Sequence, residues 1–122
     1  MTNTVDINID ERATLAVKIN LVTPTGVLRD ITGYSITWNA TFNGDIVIGP
    51  KSTDLGNIVL GTPDINDVIS SFSITFLPAD TPLPDTKTYG VPIIYDHEAR
   101  LTKASNQYIG IRGRMFIMPS QT

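Results

Sequence analysis

The only histidine of the chain, His97, lies between two carboxylates, and this triplet is the part of the sequence best suited to acid–base or metal chemistry. A hydrolase would use His97 as the base for a serine and a carboxylate to orient the imidazole. A metal ion would instead take Asp96, His97 and Glu98 as ligands. The sequence places no serine beside His97, and a charged triplet is typical of a solvated hairpin turn. We therefore predict neither a catalytic residue nor a metal ligand here.

Other patterns with a known chemistry are incomplete in this chain. Residues 64–68 have the acidic spacing of a calcium loop but lack its glycine and its distal glutamate. The two glycines of 110–113 lie within a predicted strand, so we do not expect them to form a phosphate-binding loop. There is no cysteine for a thiolate site. A pair of carboxylates for glycoside hydrolysis would be visible only in three dimensions. We expect no cofactor.

Five aromatic side chains could together form a platform on which sugar rings stack. They are Tyr34, Trp38, Tyr89, Tyr95 and Tyr108. Most of them stand at apolar positions of predicted strands, which favours packing in a core. The two interpretations differ in exposure. Aromatic side chains clustered on one sheet or loop end favour a sugar site, whereas burial removes its main support.

The elements that must position any site are organised around residues 34–42, where apolar and polar side chains alternate. The apolar set is Tyr34, Ile36, Trp38, Ala40 and Phe42. Successive side chains of a strand point to opposite faces, so this set shares one face. The only tryptophan of the chain lies in its middle, where it can bury a large area. We predict the central core strand here, between turns at 30–33 and 43–45.

Short runs of the same kind recur along the rest of the chain. We predict strands near 5–9, 13–21, 46–48, 58–60, 72–76, 89–95 and 109–117. A hairpin connection is expected at 96–100, and Gly49 and Pro50 are expected to end the strand before them. Residues 78–85 carry too many prolines for regular structure. About seven to nine short strands without a convincing helix predict an all-β fold, an antiparallel β-sandwich.

The N-terminal segment, residues 1–12, admits two interpretations. Val5, Ile7 and Ile9 alternate with polar residues as in a short strand. This strand either lies at the edge of the chain's own sheet or leaves the domain as an arm that adds to the sheet of a neighbour. We expect residues 13–122 to form a single β-sandwich domain, because 122 residues suffice for one core and not for two.

Charge is divided unevenly along the chain, whose net charge is −3. Residues 1–96 carry eleven acids and five bases. Residues 97–122 carry Glu98 and four bases, Arg100, Lys103, Arg112 and Arg114. The basic segment is either a solvated face or a contact surface for an acidic partner, such as the N-terminal part of another copy. An acidic chain is not expected to bind nucleic acid.

The sequence also bears on location. The first residues have neither the basic nor the apolar region of a signal peptide, and no apolar run approaches the ~20 residues that span a bilayer. The absence of cysteine favours folding in a reducing cytoplasm. We expect a protein that is made in a cytoplasm and does not bind a membrane.

Two stretches of the chain resemble a known family. The first is 29–38, Arg-Asp-Ile-Thr-Gly-Tyr-Ser-Ile-Thr-Trp, followed by the turn at 43–45, and the second joins 73–81 to 89–96. With a closing strand at 113–117, they resemble the small immunoglobulin-like sandwich modules of tailed-phage virion proteins, such as the N-terminal domain of baseplate upper proteins. The resemblance implies an immunoglobulin-like β-sandwich without catalytic residues, held in a virion by protein–protein contacts.

We therefore predict a non-enzymatic structural protein of a phage virion, either a tail or baseplate accessory, a head decoration or a fibre connector. It would assemble as a homo-oligomer and with other virion proteins, after synthesis in the host cytoplasm. The residues predicted as assembly contacts are Val5, Ile7, Ile9, Arg112 and Arg114. The alternative is a carbohydrate-binding or adhesive β-sandwich module.

Overall fold

The computed structural model describes residues 3–23, 25–84 and 87–119, which form nine β-strands and one short helical turn. The strands are β1 (Asn3–Thr4), β2 (Ile7–Asp10), β3 (Leu15–Asn20), β4 (Ser35–Phe42), β5 (Asp45–Ser52), β6 (Ile58–Leu60), β7 (Ser71–Phe76), β8 (Ile93–Lys103) and β9 (Asn106–Met118). A 3₁₀ turn, Pro78–Asp80, follows β7. Within the described ranges no helix is long and apolar enough to cross a membrane.

The strands form two sheets. The larger sheet has the order β1–β9–β8–β4–β5, and β2 lies beside β9 as well. The smaller sheet has the order β3–β7–β6. β1 and β2 run parallel to β9, whereas all other neighbouring strands are antiparallel. The predicted all-β sandwich of seven to nine strands is confirmed, with the parallel N-terminal strands as an exception to its antiparallel pairing.

The strand order is that of an immunoglobulin-like sandwich. Such a domain places strands A, B, E and D in one sheet and C, F and G in the other, and variable-type domains add C′ to the second sheet. Here β3, β7 and β6 take the positions of B, E and D, while β9, β8, β4 and β5 take those of G, F, C and C′. Trp38 on β4 corresponds to the buried tryptophan that antibody domains carry on strand C. The predicted immunoglobulin-like architecture is confirmed.

The core lies between the two sheets. Ile36, Trp38 and Ala40 of β4 are fully buried, which confirms the predicted central strand. The Trp38 ring meets the Phe76 ring of β7 edge to face, with 5.2 Å between the centroids, so this contact joins the two sheets. Other large side chains that are fully buried include Phe72, Ile7, Ile19, Leu21, Ile31, Ile58, Ile74, Leu101, Ile111, Met115 and Ile117.

β8 shows that the hairpin connection predicted at 96–100 is wrong. The strand runs without interruption from Ile93 to Lys103, and the tight turn comes after it, at 104–105. His97, Ala99 and Leu101 are buried, and charged side chains alternate with them. A strand with one buried and one solvated face carries charge on every second residue. The prediction failed because it treated those charges as the mark of a loop.

Three other predicted boundaries are wrong. Tyr89 and Val91 are 53% and 56% exposed and precede β8, so the strand predicted at 89–95 begins only at Ile93. Gly49 and Pro50 lie inside β5, where the pairing with β4 is irregular. β5 is an edge strand of its sheet, and edge strands tolerate proline. The proline-rich stretch 78–85 begins with the 3₁₀ turn rather than irregular structure, and its residue 85 lies outside the described ranges.

Candidate functional site

The N-terminal segment lies along β9 at the edge of the larger sheet. Ile7 and Ile9 are only 2% and 5% exposed and pair in register with Met115 and Ile117, inside the chain's own core. Val5, between β1 and β2, is partly buried and packs against the same core. Three of the residues predicted as assembly contacts are thus placed within the sandwich of a single chain. Exchange of this strand between copies stays a prediction, because it would preserve the same contacts.

The chain passes from β1 to β2 directly over Gly113 of β9. A Cβ atom on Gly113 would overlap the carbonyl group of Val5. On either side of this crossing, the Val5 N–H donates to the carbonyl oxygen of Arg112 at 3.1 Å, and Oδ1 of Asp6 accepts from the N–H of Arg114 at 3.1 Å. Glycine at position 113 therefore lets the N-terminal segment lie this close to β9.

His97, the candidate base, lies in the core of the sandwich and contacts two other segments of the chain through hydrogen bonds. It is 2% exposed. Its Nδ1 atom accepts a hydrogen bond of 3.1 Å from Nε1 of Trp38, and its Nε2 atom lies 2.7 Å from the carbonyl oxygen of Val5. Because the indole N–H can only donate, Nδ1 carries no proton and the Nε2–H group donates to Val5. The ring thus joins β4, β8 and the N-terminal segment.

The surroundings of His97 decide what chemistry this side chain can do. Burial lowers its pKa, and the hydrogen bond to Val5 and the charges of Asp6 and Asp96 oppose this shift. Asp96 and Glu98 alternate with His97 along β8 and so belong to the outer face of the sheet. Nowhere in the described part of the chain do three His, Cys, Asp or Glu side chains gather as metal ligands. Both imidazole nitrogens hold the core together, and neither is free for proton transfer.

Arg112 and Arg114, the other predicted contacts, lie on the outer face of the larger sheet. With Arg100, Asp96 and Glu98 they form a charged surface on β8 and β9, called here the arginine face. Glu98 lies between two of the arginines: its carboxylate oxygens are 3.4 Å from Nη2 of Arg112 and 3.7 Å from Nη2 of Arg100. The arginines are exposed, so each of these ion pairs contributes only about 0–1 kcal/mol to stability.

Polar residues of β4 border the arginine face. Asn39 pairs in register with Glu98, and Thr41 pairs with Asp96. A shallow cavity of about 370 Å³ lies among Thr41, Asp96, Glu98 and Arg112, and His97 and Gly113 also line it. The face is therefore a broad polar surface with one indentation rather than a deep pocket.

The acidic N-terminal segment and the basic C-terminal strand lie side by side in one chain. Asp6 accepts a hydrogen bond from the backbone of Arg114, and Asp10 of β2 pairs in register with Met118 of β9. Both contacts involve the backbone of β9, so they hold the N-terminal segment beside that strand and do not pair its acids with the arginine side chains. The three arginines of the arginine face remain exposed.

Most of the aromatic side chains considered for a sugar platform pack in or against the core. Trp38 is fully buried. Tyr34 and Tyr108 meet edge to face, with 5.7 Å between their centroids. Tyr95 lies at the opposite end of β8 from the residue that pairs with Tyr108, and Tyr89 lies in the loop before β8. Tyr34, Tyr95 and Tyr108 pack against the same core as Trp38, so four of the five side chains belong to the core and not to an exposed platform, which removes the main argument for sugar stacking.

Two ion pairs that sequence analysis missed tie the segment after β7 to the sandwich. The Glu11 side chain is 1% exposed and accepts from Nζ of Lys87 at 2.8 Å and from the N–H of Leu83 at 3.1 Å. The Lys51 side chain is 6% exposed and its Nζ lies 2.8 Å from Oδ2 of Asp80. The partners are 76 and 29 residues apart in sequence, so no local pattern could have indicated either pair.

Comparisons with known proteins leave the function open. A scan against models of protein families matches none of them, and a search of curated proteins finds no match. Among solved structures the chain is similar to that of murine CRIg, with 11% sequence identity and a TM-score of 0.35, over 95% of this chain and 92% of that chain. A likeness at this level carries no argument about function, and the assignment of the fold rests on the strand order above.

Proposed function

We propose that this chain is a non-catalytic binding module whose partners dock on the arginine face. The observation that carries the proposal is the exposed outer surface of β8 and β9, from which Arg100, Arg112 and Arg114 project. Two long paired strands hold these guanidinium groups at fixed spacing. Because guanidinium groups bind carboxylates through paired hydrogen bonds, the complementary partner is an acidic protein surface.

The hydrogen bonding of His97 supports the non-catalytic part of the proposal. The chain has one histidine, and its ring nitrogens are engaged with Trp38 and Val5. General-base catalysis by His97 would require one of these bonds to break inside a buried core. The geometry therefore favours binding over hydrolysis.

We propose further that the module is a structural protein of a tailed-phage virion: a tail or baseplate accessory, a head decoration or a fibre connector. The support is the resemblance of residues 28–117 to the immunoglobulin-like modules of such virions, and the strand order agrees with the architecture that this resemblance implies. The partners would be other copies of the chain and larger virion proteins. Symmetric assembly repeats one contact many times, so individually weak ion pairs can act together.

The alternative, a carbohydrate-binding or adhesive module, has less support. Its main argument was a cluster of exposed aromatic side chains. Trp38 is buried, Tyr34, Tyr95 and Tyr108 pack against the same core, and Tyr89 alone of the five is exposed. We therefore retain protein–protein contact as the proposed function.

Charge reversal at Arg114 tests the role of the arginine face. Among the described residues the Arg114 guanidinium forms no ion pair, but a glutamate there would stand opposite Asp96 of β8, so we expect Arg114→Glu to cost no more than about 1 kcal/mol of stability. Lys103→Glu, at the end of β8 and outside the face, is the matched control. We expect Arg114→Glu to reduce the assembly to monomers in light scattering at low salt and Lys103→Glu to leave its mass unchanged. Equal masses for both variants and the unaltered protein would contradict the proposal.

A further inference from the structure

The smaller sheet has an open edge at β3. In an immunoglobulin-like sandwich the corresponding sheet has the order A, B, E, D, so that strand A lies beside B. Here the first strands of the chain lie beside β9 instead, and the position beside β3 is unfilled among the described residues. β3 is six residues long and pairs only with β7 in the part of the chain that the structure describes.

The hydrogen-bonding groups on this edge can be assigned residue by residue. The N–H of Leu21 donates to the carbonyl oxygen of Ser70 at 2.8 Å. In this register the backbone N–H and C=O groups of the odd-numbered residues of β3 point toward β7. The N–H and C=O groups of Ala16, Lys18 and Asn20 therefore face the open side. All three residues are exposed, and within residues 3–23, 25–84 and 87–119 these groups have no protein partner. Such a row is a template for another strand.

The side-chain amide of Asn3 already occupies this edge at Val22, the next residue after Asn20 whose backbone faces the open side. Oδ1 of Asn3 accepts from the N–H of Val22 at 3.3 Å, and Nδ2 of Asn3 donates to the carbonyl oxygen of Val22 at 3.1 Å. A carboxamide presents the donor and the acceptor of one peptide unit. Asn3 thus satisfies Val22 as a paired strand would, and the edge has the geometry that strand pairing requires.

The other sheet edges are less suited to pairing. β6 is only three residues long. β5 pairs irregularly with β4 and contains Pro50, which has no N–H. β1 and β2 are separated by a break at Val5 and Asp6. Among the described strands, β3 is the longest open edge without an irregularity.

A groove at the start of β3 provides apolar surface beside this edge. It has a volume of about 570 Å³, with Ala13 and Leu15 on one side and Ile9, Phe116 and Met118 on the other. Leu15 and Met118 are 36% and 39% exposed. A strand laid along β3 and continuing past Leu15 would reach this groove, where it could bury an apolar side chain.

We propose that β3 accepts an extended segment of a partner protein as an additional strand of the smaller sheet. The exposed Lys18, in the middle of the edge, favours an acidic residue opposite it and disfavours pairing of two β3 strands centred on Lys18. The segment therefore alternates apolar side chains, which face the sandwich, with acidic side chains, which face outward with Lys18. This site is on the other sheet from the arginine face and does not depend on it.

NMR spectroscopy of the full chain with a short peptide tests the proposal. The probe is a synthetic copy of residues 4–10, Thr-Val-Asp-Ile-Asn-Ile-Asp, which has the required alternation. We expect amide shifts and slowed hydrogen exchange at Ala16, Lys18 and Asn20, whereas the exchange of Val17 and Ile19 is already slow in the free protein. Lys18→Glu should weaken binding about fivefold, and a peptide with asparagine in place of aspartate should lose this sensitivity.

Four outcomes would contradict the proposal. Shifts confined to β9 would mean that the peptide displaces the N-terminal strand, and shifts confined to the arginine face would mean that it binds there through charge alone. No shift at millimolar peptide would mean that the edge does not accept a strand. Binding at β3 that Lys18→Glu leaves unchanged would contradict the acidic character assigned to the partner.

Discussion

Trp38 donates a hydrogen bond of 3.1 Å from Nε1 to Nδ1 of His97 within the buried core. This bond fixes the imidazole in its neutral form and directs its Nε2–H group at Val5. A second proton on Nδ1 would point at the indole N–H, so protonation removes the hydrogen bond between the Trp38 and His97 side chains. Folding and the protonation of His97 are therefore coupled.

The stability of the protein is expected to fall as the pH drops below about 6.5. Burial lowers the pKa of His97 in the folded protein from its ordinary value of 6.5, so the unfolded chain takes up the proton first. The contribution of His97 is fully present above this value and is lost as the pH falls toward the lowered pKa. Urea unfolding at a series of pH values between about 8 and 5 measures this dependence.

His97→Gln is the control for this pH dependence, because glutamine does not titrate. The variant should be less stable than the unaltered protein at about pH 8, since it loses the fitted ring, but it should lack the slope below 6.5. Asp30 does not contribute to the slope in this pH range, because the hydrogen bonds from Thr32 lower its pKa below 3.8. Equal slopes for the two proteins between pH 5 and 6.5 would refute the coupling.

Gly113→Ala should destabilise the protein by displacing the N-terminal segment. The added methyl group would overlap the carbonyl group of Val5, and backbone on both sides must move to relieve it. We expect a loss of about 1–3 kcal/mol in the free energy of unfolding, measured in urea, with faster proteolysis near the N-terminus.

Gly56→Ala separates the overlap at Gly113 from the general effect of replacing a glycine. Gly56 has a φ of +81° but open space around its Cβ position, so alanine there costs about 1–2 kcal/mol through backbone strain alone. Only the change at Gly113 should expose the N-terminal segment to protease. The same protection in both variants would contradict the proposed close approach.

Lys87→Ala should cost about 1.5–3 kcal/mol because it removes the closer of the two cations beside the buried carboxylate of Glu11, and with it a charged hydrogen bond. Arg12→Ala is the matched control, since the Arg12 side chain is 65% exposed and lies 3.9 Å from the same carboxylate. We expect this second change to cost less than about 1 kcal/mol. Thermal unfolding of both variants at neutral pH gives the comparison, and similar losses would show that burial does not set the strength of the pair.

Local alternation was sufficient to predict the strands with one buried face. Residues 34–42 and 72–76 alternate strictly, and both runs were assigned correctly because the period of two follows from the strand itself. The same alternation continues through 93–103, but it was not recognised there because the outer residues are charged. The turn at 104–105 carries no glycine or proline, so no residue typical of turns marked its position.

The contacts that define the candidate site depend on the fold as a whole. Trp38 and His97 are 59 residues apart, and His97 lies 92 residues from Val5. Which side chains meet at such distances is decided by strand order and register, and a single sequence displays neither. The alternation of apolar and polar residues was enough to predict that Arg112 and Arg114 point outward. Their proximity to Glu98 and Arg100 follows only from the register of β8 with β9.

The mass of the unaltered protein in solution, measured by light scattering at low and at high salt, tests the central claim most directly. If copies meet through the arginine face, a discrete multimer forms at low salt and dissociates as salt is added, because screening weakens exposed ion pairs. A monomer at high protein concentration and low salt would contradict self-assembly. A multimer that salt leaves unchanged would contradict the arginine face as its contact.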